Sequence, residues 1–307
     1  MTQPAGAVFR AFASEWQPRI EATLDRLLPA ATAAPTRLHD AMRYVMFPGG
    51  KRLRPLLALL AARATGGDVE RALRPAAALE LLHTYSLVHD DLPCMDDDDL
   101  RRGRPTCHKV YGEAIAVLVG DALLTSAFGV VAEAGGRAVA TLAEAAGSLG
   151  MVGGQAGDML AEAGSRTDLP NGRAGVEWIH DRKTGALIRA SLFVGALAGG
   201  ADDFDAAALT GYGDALGRAF QIADDCLDVT ASAATLGKNV GQDAAAAKLT
   251  FPAVLGLDAS LAEARRQAGL ASSFAARVCA RLPAGGPLDS AVALLQDAAL
   301  FAVARTT

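Results

Sequence analysis

Residues 83–108 read HTYSLVHDDLPCMDDDDLRRGRPTCH, and they place six carboxylates at the end of an apolar, helix-like segment. A second acidic cluster, residues 220–228, reads FQIADDCLD and also ends an apolar segment. The end of an apolar helix is a poor place for clustered negative charge, because burying unpaired carboxylates is costly. The two clusters therefore predict that something cationic lies between them.

The spacing of the carboxylates sharpens this prediction. Asp224 and Asp228 are four residues apart, so they share one face of a helix. On an ideal helix Asp96 would lie about 120° around the axis from Asp90. Pro93 ends or bends the helix, so the chain can bring Asp96 back beside Asp90. Carboxylates this close repel each other, and Mg²⁺, which binds one or two carboxylates together with phosphate oxygens, would relieve the repulsion.

A solvated loop or a calcium-binding loop would also be rich in Asp. A single run of four Asp is commonly a solvated loop, but two such clusters, each closing an apolar helix, make that interpretation weak. An EF-hand calcium loop fits neither cluster, because the alternating ligands, the Gly and the distal Glu of that loop are missing.

The rest of the chain indicates an all-α fold. Hydrophobic residues make up 51% of the 307 residues, while aromatic residues make up only 5%. Ala and Leu, which favour helices, dominate, and repeated short Val/Ile runs are lacking. The segments predicted to be helical include Leu56–Arg63, Pro75–His89, Gly112–Ala134, Ala138–Met151 and Ala206–Asp228.

Turn signals divide these helices without marking a domain boundary. We expect turns or helix ends at the Gly-Gly pairs at 49–50, 66–67, 135–136, 153–154, 199–200 and 285–286. Loops are predicted at Arg101–His108 and Gly164–Gly175, which mix Gly, Pro and charge. The expectation is one domain over residues 1–307.

Charge and cysteine content limit the class of protein. The formal net charge is −5, which argues against a nucleic-acid-binding protein. Four scattered cysteines without a CxxC pair indicate neither a disulfide framework nor a zinc site. No signal peptide and no charge-free membrane span are recognised, so a cytoplasmic location is expected.

Basic residues accompany the acidic clusters. Residues 49–55, GGKRLRP, place a Gly-Gly turn and three cations at a helix start, which is a pattern that can bind phosphate. Arg101 and Arg102 directly follow the first acidic run, although part of their role could be pairing with Asp97–Asp99. Taken singly, each of these signals is weak.

Together, these blocks resemble trans-prenyl diphosphate synthases. The similarity extends from about Gly49 to Pro252 and includes both aspartate-rich motifs, GGKRLRP, the GGQ at 153–155 with Asp158, DRKTGALIRAS and LGKNVGQDAAAAKLTFP. The resemblance implies the isoprenoid-synthase helical bundle around a central cavity, normally a homodimer. It implies condensation of isopentenyl diphosphate with an allylic diphosphate, assisted by three Mg²⁺ ions.

The resemblance also implies a role for individual residues. The implied metal ligands are Asp90, Asp91, Asp96, Asp224, Asp225 and Asp228. The implied contacts of the allylic substrate are Arg101, Lys183, Thr184, Gln221, Lys238 and Lys248, among which Lys183, Thr184 and Gln221 would stabilise the reacting carbon. The implied residues of the isopentenyl diphosphate site are Gly50, Lys51, Arg54, His83 and Arg102.

Two features of the first acidic motif bear on the chain length of the product. The first motif has four residues between Asp91 and Asp96, which resembles bacterial farnesyl and plant or bacterial geranylgeranyl enzymes. Tyr85, with Ser86 beside it, resembles the aromatic position that limits the pocket in bacterial farnesyl synthases, where geranylgeranyl enzymes often carry Met. We therefore expect farnesyl diphosphate as the product, with geranylgeranyl diphosphate as the alternative.

Two related classes of protein would carry different acidic motifs. A class I terpene cyclase is expected to show an Asn/Ser/Glu metal motif where this chain has Asp224–Asp228. A non-catalytic subunit of a heteromeric synthase is expected to have lost an acidic motif, and this chain keeps both.

Overall fold

The computed structural model describes residues 5–47, 49–165, 168–230, 248–278 and 288–304, and the chain in these ranges is almost entirely helical. The helices in chain order are α1 (Ala7–Leu27), α2 (Thr36–Met46), α3 (Leu53–Ala64), α4 (Val69–Asp90), α5 (Cys107–Tyr111), α6 (Glu113–Val131), α7 (Gly136–Ala146), α8 (Met151–Glu162), α9 (Gly172–His180), α10 (Ala186–Gly199), α11 (Asp203–Thr230), α12 (Phe251–Leu255), α13 (Leu257–Val278) and α14 (Leu288–Val303). A 3₁₀ turn (Ala132–Ala134) follows α6, and a π-helical turn (Asp181–Gly185) joins α9 to α10. The predicted all-α fold is confirmed.

Small side chains allow the central helices to approach closely. Helix α10 packs against α3, α4, α7 and α11. A Cβ atom added at Gly195 of α10 would lie 2.0 Å from the carbonyl oxygen of Ala58 in α3, so this crossing requires glycine. The Ala-rich composition therefore produces a tightly packed helical core, as expected from the few aromatic residues.

The bundle brings the ends of two long helices to one side. Helix α4 ends at Asp90, and its N-terminus is capped by Asp68, whose carboxylate accepts hydrogen bonds from the backbone N–H groups of Glu70 and Arg71. Helix α11 carries the second acidic cluster in its last two turns. Between α4 and α5 the chain forms a small hairpin in which Leu100 pairs with Pro105 and Arg101 with Arg104.

Three local predictions were wrong in detail. The helix expected at Ala138–Met151 ends at Ala146, and a turn separates it from α8. Gly153 and Gly154, expected at a turn, lie inside α8. The loop expected at Gly164–Gly175 ends where α9 begins at Gly172. The reason at Gly154 is packing, because a Cβ there would lie 2.2 Å from the backbone nitrogen of Lys183.

Helix α6 and the 3₁₀ turn after it form a long apolar segment. Among the described residues, one segment, Glu113–Ala134, has the length and the apolar composition needed to cross a bilayer. Asp121 lies within this segment. A third of the residues in its most apolar stretch are buried inside the fold, mainly because α6 packs on α4. Core helices of soluble proteins have the same composition, so this feature does not identify a membrane protein.

Candidate active site

The two acidic clusters face each other across one cavity of about 320 Å³. Its ionisable and polar lining consists of Asp90, Asp96, Asp158, Asp224, Asp225, Asp228, Arg101, Lys183, Lys248, His180, Gln221 and Thr250. We call this space the acidic cavity. The sequence prediction that the two clusters lie together is confirmed by this arrangement.

The first cluster reaches the cavity because the chain turns back after α4. The backbone N–H of Asp96 donates a hydrogen bond of 2.8 Å to the carbonyl oxygen of Asp90, and that of Asp97 donates one of 3.1 Å to the carbonyl of Leu92. Asp97 has a φ of 51°, which is the left-handed region that a tight turn needs. The predicted return of Asp96 beside Asp90 is therefore confirmed.

The carboxyl of Asp90 lies in an environment that favours a bound cation. Burial raises its pKa to about 6, and the neighbouring Asp96 adds to the rise, while Lys183 opposes it. Within the described ranges, no three His, Cys, Asp or Glu side chains are close enough to hold a metal ion by themselves. Carboxylates that share a cavity without forming a closed cage suit Mg²⁺, which completes its coordination with water and phosphate oxygens.

Asp91 differs from Asp90 in its surroundings. It is buried outside the acidic cavity, and Nε of Arg101 donates a 2.9 Å hydrogen bond to its Oδ1. The same guanidinium donates a 3.0 Å hydrogen bond to Asp98. Asp91 thus holds Arg101 at the rim of the cavity, and its predicted role as a metal ligand stays a prediction.

Asp225 is held by hydrogen bonds from the protein. Its Oδ1 accepts a 3.1 Å bond from the Gln221 amide, and its Oδ2 accepts a 3.0 Å bond from the backbone N–H of Phe251. Burial raises its pKa to about 7 although both hydrogen bonds oppose the rise. Nε2 of His180 lies 3.5 Å from Oδ2. Asp224 lines the cavity one residue earlier, so these contacts fix the helix end that presents it.

The π-helical turn presents Lys183 and Thr184 to the site. Nζ of Lys183 forms a 2.6 Å ion pair with Asp158, and the hydroxyl of Thr184 donates a 2.7 Å hydrogen bond to Oε1 of Gln221. Burial lowers the pKa of Lys183, but Asp158 and Asp90 outweigh it and leave the pKa above its ordinary value. The side chain therefore stays charged in the cavity. Single π turns of this kind often occur at functional sites.

Lys248 also lines the acidic cavity. Its Nζ is 3.2 Å from Oε1 of Glu162 and 4.0 Å from Oδ1 of Asp96. Sequence reasoning missed Glu162, and it found Asp158 only beside the GGQ block. Asp158 and Glu162 lie four residues apart in α8, so they share one face of the helix, and this spacing is the signal that could have identified them. The predicted contact Lys238 lies outside the described residues.

A second cavity of about 310 Å³ gathers the predicted residues of the isopentenyl diphosphate site. We call it the basic cavity; its lining includes Gly50, Lys51, Arg54, His83 and Arg102. Burial and the surrounding guanidinium groups lower the pKa of His83 well below its ordinary value, so the imidazole is neutral. Nε of Arg54 is buried without a hydrogen-bond partner, which leaves a donor for a bound anion.

Arg52 has a different role from its basic neighbours. Its φ of 48° turns the side chain inward, where it is fully buried. Nη1 lies 2.8 Å from Oε1 of Glu80, and Nε lies 2.6 Å from Oε1 of Glu21. Arg52 borders the basic cavity as well, and the GGKRLRP pattern did not reveal that it is paired inside the fold, because Glu21 and Glu80 are distant in sequence.

A third cavity, largely apolar and of about 550 Å³, lies next to the other two. It shares Asp90 and Lys183 with the acidic cavity, and Arg54 and His83 with the basic cavity. We call it the apolar cavity; its walls include Tyr85, Ser86, Leu87, Leu92, Met95, Val117, Met151, Val152, Ala156 and Met159. The two positions predicted to affect product length, Tyr85 and Ser86, both line it.

Known proteins resemble the chain in sequence. The large subunit 1 of heterodimeric geranylgeranyl pyrophosphate synthase from Arabidopsis thaliana is 43% identical over 84% of this chain and 71% of its own length. A geranylgeranyl pyrophosphate synthase from Catharanthus roseus is 46% identical over 74% of this chain. This chain covers 64% of the Catharanthus protein, slightly less than two thirds of its length.

Solved structures share the fold. An FPP/GFPP synthase from Zymomonas mobilis is 35% identical, with a TM-score of 0.80 over 97% of this chain and all of its own. A Caulobacter crescentus polyprenyl synthase, solved with calcium and isoprenyl diphosphate, is 30% identical, with a TM-score of 0.84 over both full chains. The polyprenyl synthetase profile matches residues 35–275, which is well over half of the sequence. The chain therefore belongs to the polyprenyl synthetase family.

Proposed function

We propose that this chain is a short-chain trans-prenyltransferase, which joins isopentenyl diphosphate to an allylic diphosphate head to tail. One observation carries the proposal: the acidic and basic cavities lie on either side of the apolar cavity and each shares lining residues with it. Two diphosphates of different kinds can therefore bind with their hydrocarbon parts in contact. Such contact is what carbon–carbon bond formation between them requires.

The acidic cavity is the site proposed for the allylic diphosphate. The six residues proposed to hold Mg²⁺ are Asp90, Asp91, Asp96, Asp224, Asp225 and Asp228. Asp91 and Asp225 also accept hydrogen bonds from protein groups, which fix the two acidic helix ends. When bound, Mg²⁺ supplies Lewis-acid stabilisation of the diphosphate leaving group. The side chains of Arg101, Lys183 and Lys248 add positive charge where negative charge develops as the C–O bond breaks. Three metal ions remain the expected number.

The basic cavity is the site proposed for isopentenyl diphosphate. The buried donor of Arg54, with Lys51 and Arg102, would bind its diphosphate, and neutral His83 can donate a further hydrogen bond. The double bond then attacks the allylic cation, and loss of a proton restores an alkene. The diphosphate released from the allylic substrate is proposed to accept this proton, and no side chain is proposed as the base. The apolar walls exclude the water that would convert the cation to an alcohol.

Geranylgeranyl diphosphate is the product that the relatives support best. The Arabidopsis and Catharanthus proteins both carry geranylgeranyl pyrophosphate synthase in their names, at 43% and 46% identity. This preference replaces the expectation of farnesyl diphosphate from the sequence. We propose a four-unit product on this basis.

Farnesyl diphosphate is the second candidate, because Tyr85 favours it. The ring is 7% exposed and lines the apolar cavity five residues before Asp90. Five residues of helix correspond to a depth of about 7.5 Å below Asp90. A ring at that depth would limit the length of an allylic tail.

The test is product analysis with the purified chain. Incubation with isopentenyl diphosphate, dimethylallyl or geranyl diphosphate and Mg²⁺ should give a prenyl diphosphate, and its length decides between the two candidates. Tyr85→Met should lengthen the product, whereas Ser86→Ala, which changes little volume in the same cavity, should not. Absence of any product from the purified chain would favour a non-catalytic subunit and overturn the proposal.

We also propose that the chain forms a homodimer through α6. Leu118 is 50% exposed on one face of this helix, next to Val117, which is 40% exposed and also lines the apolar cavity. A second copy would cover this face. Leu118→Glu should then give monomers by sedimentation, and Leu270→Glu, at a comparably exposed leucine of α13, should leave the dimer intact. A wild-type monomer would contradict the proposal.

A further inference from the structure

His89 links the apolar cavity to helix α6. Its ring lies between Tyr85, one turn earlier in α4, and the neighbouring helix. Nε2 lies 3.0 Å from the carbonyl oxygen of Val117, so this nitrogen donates a hydrogen bond to α6. The ring meets Tyr85 edge to face, with centroids 5.6 Å apart and an interplanar angle of 86°. His89, Tyr85 and Val117 all line the apolar cavity.

Helix α6 leaves space for this ring at one glycine. A Cβ atom added at Gly120 would lie 2.0 Å from Nε2 of His89 and 2.4 Å from its Cδ2. Real atoms do not approach so closely, so any other residue at Gly120 must displace the imidazole. The next glycine of the same helix, Gly129, has nothing within 4 Å of an added Cβ. The contact with His89 therefore requires glycine at position 120, whereas the glycine at position 129 of the same helix makes no comparable contact.

We infer that His89, seated on Gly120 and bonded to the Val117 carbonyl, is a positioning residue that holds the Tyr85 ring and thereby sets product length. This inference rests on the proposed function and adds a second residue, beside Tyr85, to those that set product length. The hydrogen bond to α6 fixes the imidazole, and the edge contact then restricts the rotation of the tyrosine ring. Without the imidazole, Tyr85 can turn into the vacated space, and the cavity deepens for a longer allylic tail.

The experiment measures the distribution of products from radiolabelled isopentenyl diphosphate. His89→Ala should raise the ratio of the next longer product to the wild-type product by roughly 2- to 10-fold, because an aromatic edge contact is lost. In the Tyr85→Ala background the same His89→Ala change should add no further lengthening, because His89 acts through the tyrosine. Equal lengthening in both backgrounds would overturn the inference.

Two alanine variants in α6 provide a matched pair. Gly120→Ala should change the product ratio, and Gly129→Ala should leave it as in the wild type. Thermal unfolding of both variants checks that each is folded. Should His89→Ala not fold, an unchanged product ratio in a folded Gly120→Ala protein would still refute the inference. A wild-type chain that makes no prenyl product would refute the proposed function instead, so the two failures are distinguishable.

Discussion

Asp90→Asn should stabilise the metal-free protein while abolishing most of its activity. Burial and Asp96 raise the pKa of Asp90 from 3.8 to about 6. The ionised carboxylate therefore lowers the free energy of unfolding of the wild type. Such a rise corresponds to about 3 kcal/mol at most, since one pKa unit equals 1.36 kcal/mol. Asn has nearly the same shape and carries no charge, so it removes this cost above pH 6.

The sign of the effect follows from linkage. Well below pH 4 the carboxyl is protonated in both the folded and the unfolded chain, so Asp90→Asn changes little. As the pH rises from the unfolded pKa through the folded pKa of about 6, the wild type loses stability that the variant keeps. The difference in the free energy of unfolding should therefore grow between pH 5 and pH 8, by about 1–2 kcal/mol.

Urea unfolding at pH 5 and pH 8, without added metal, measures this difference. Turnover of Asp90→Asn at saturating Mg²⁺ should fall by about 100-fold or more, as for loss of a contact that stabilises the transition state. Mg²⁺ with inorganic pyrophosphate should stabilise the wild type more than the variant. A stability difference that is the same at both pH values would refute the argument, because the ionised carboxylate would then not be the source.

Three further predictions use other parts of the site. Gly154→Ala should lower turnover by at least about 10-fold in a steady-state assay, because its Cβ would lie 2.2 Å from the Lys183 nitrogen and displace the π-helical turn; unchanged turnover would contradict this. Glu80→Ala should cost about 3–5 kcal/mol in urea unfolding, because it leaves Arg52 buried with one partner fewer, and a loss below about 1 kcal/mol would mean that the ion pair is dispensable. The Mg²⁺ concentration needed for half-maximal rate should rise as the pH falls below about 6, since protonated Asp90 cannot bind metal; a pH-independent value would exclude Asp90 as a ligand.

Sequence reasoning predicted the helical fold and most of the site because the signals were local. Asp90 and Asp96 are joined by a turn that Pro93 indicates, and Asp224 and Asp228 share a helix face. Contacts between residues that are far apart in sequence were not predictable in the same way. The pairing of Arg52 with Glu80 and Glu21 needs three separate parts of the chain to meet, which no spacing rule reports.

Glycines gave the clearest failures of sequence reasoning. A Gly-Gly pair usually marks a turn, yet Gly154 lies within α8 because another backbone passes beside it. The same limit applies to Gly120, where a side chain from α4 occupies the space. Close approach between helices depends on tertiary packing, so a local pattern cannot distinguish it from helix termination.

The shared residues of the three cavities have a consequence for repeated turnover. If the reaction proceeds as proposed, each new bond leaves the lengthened chain with its head group among Arg54 and His83, in the basic cavity. A further round requires that head group to cross to Asp90 and Lys183 before the molecule escapes. Transfer and escape thus compete at every round, and abundant divalent metal, which favours the acidic side, should bias that competition toward continued elongation.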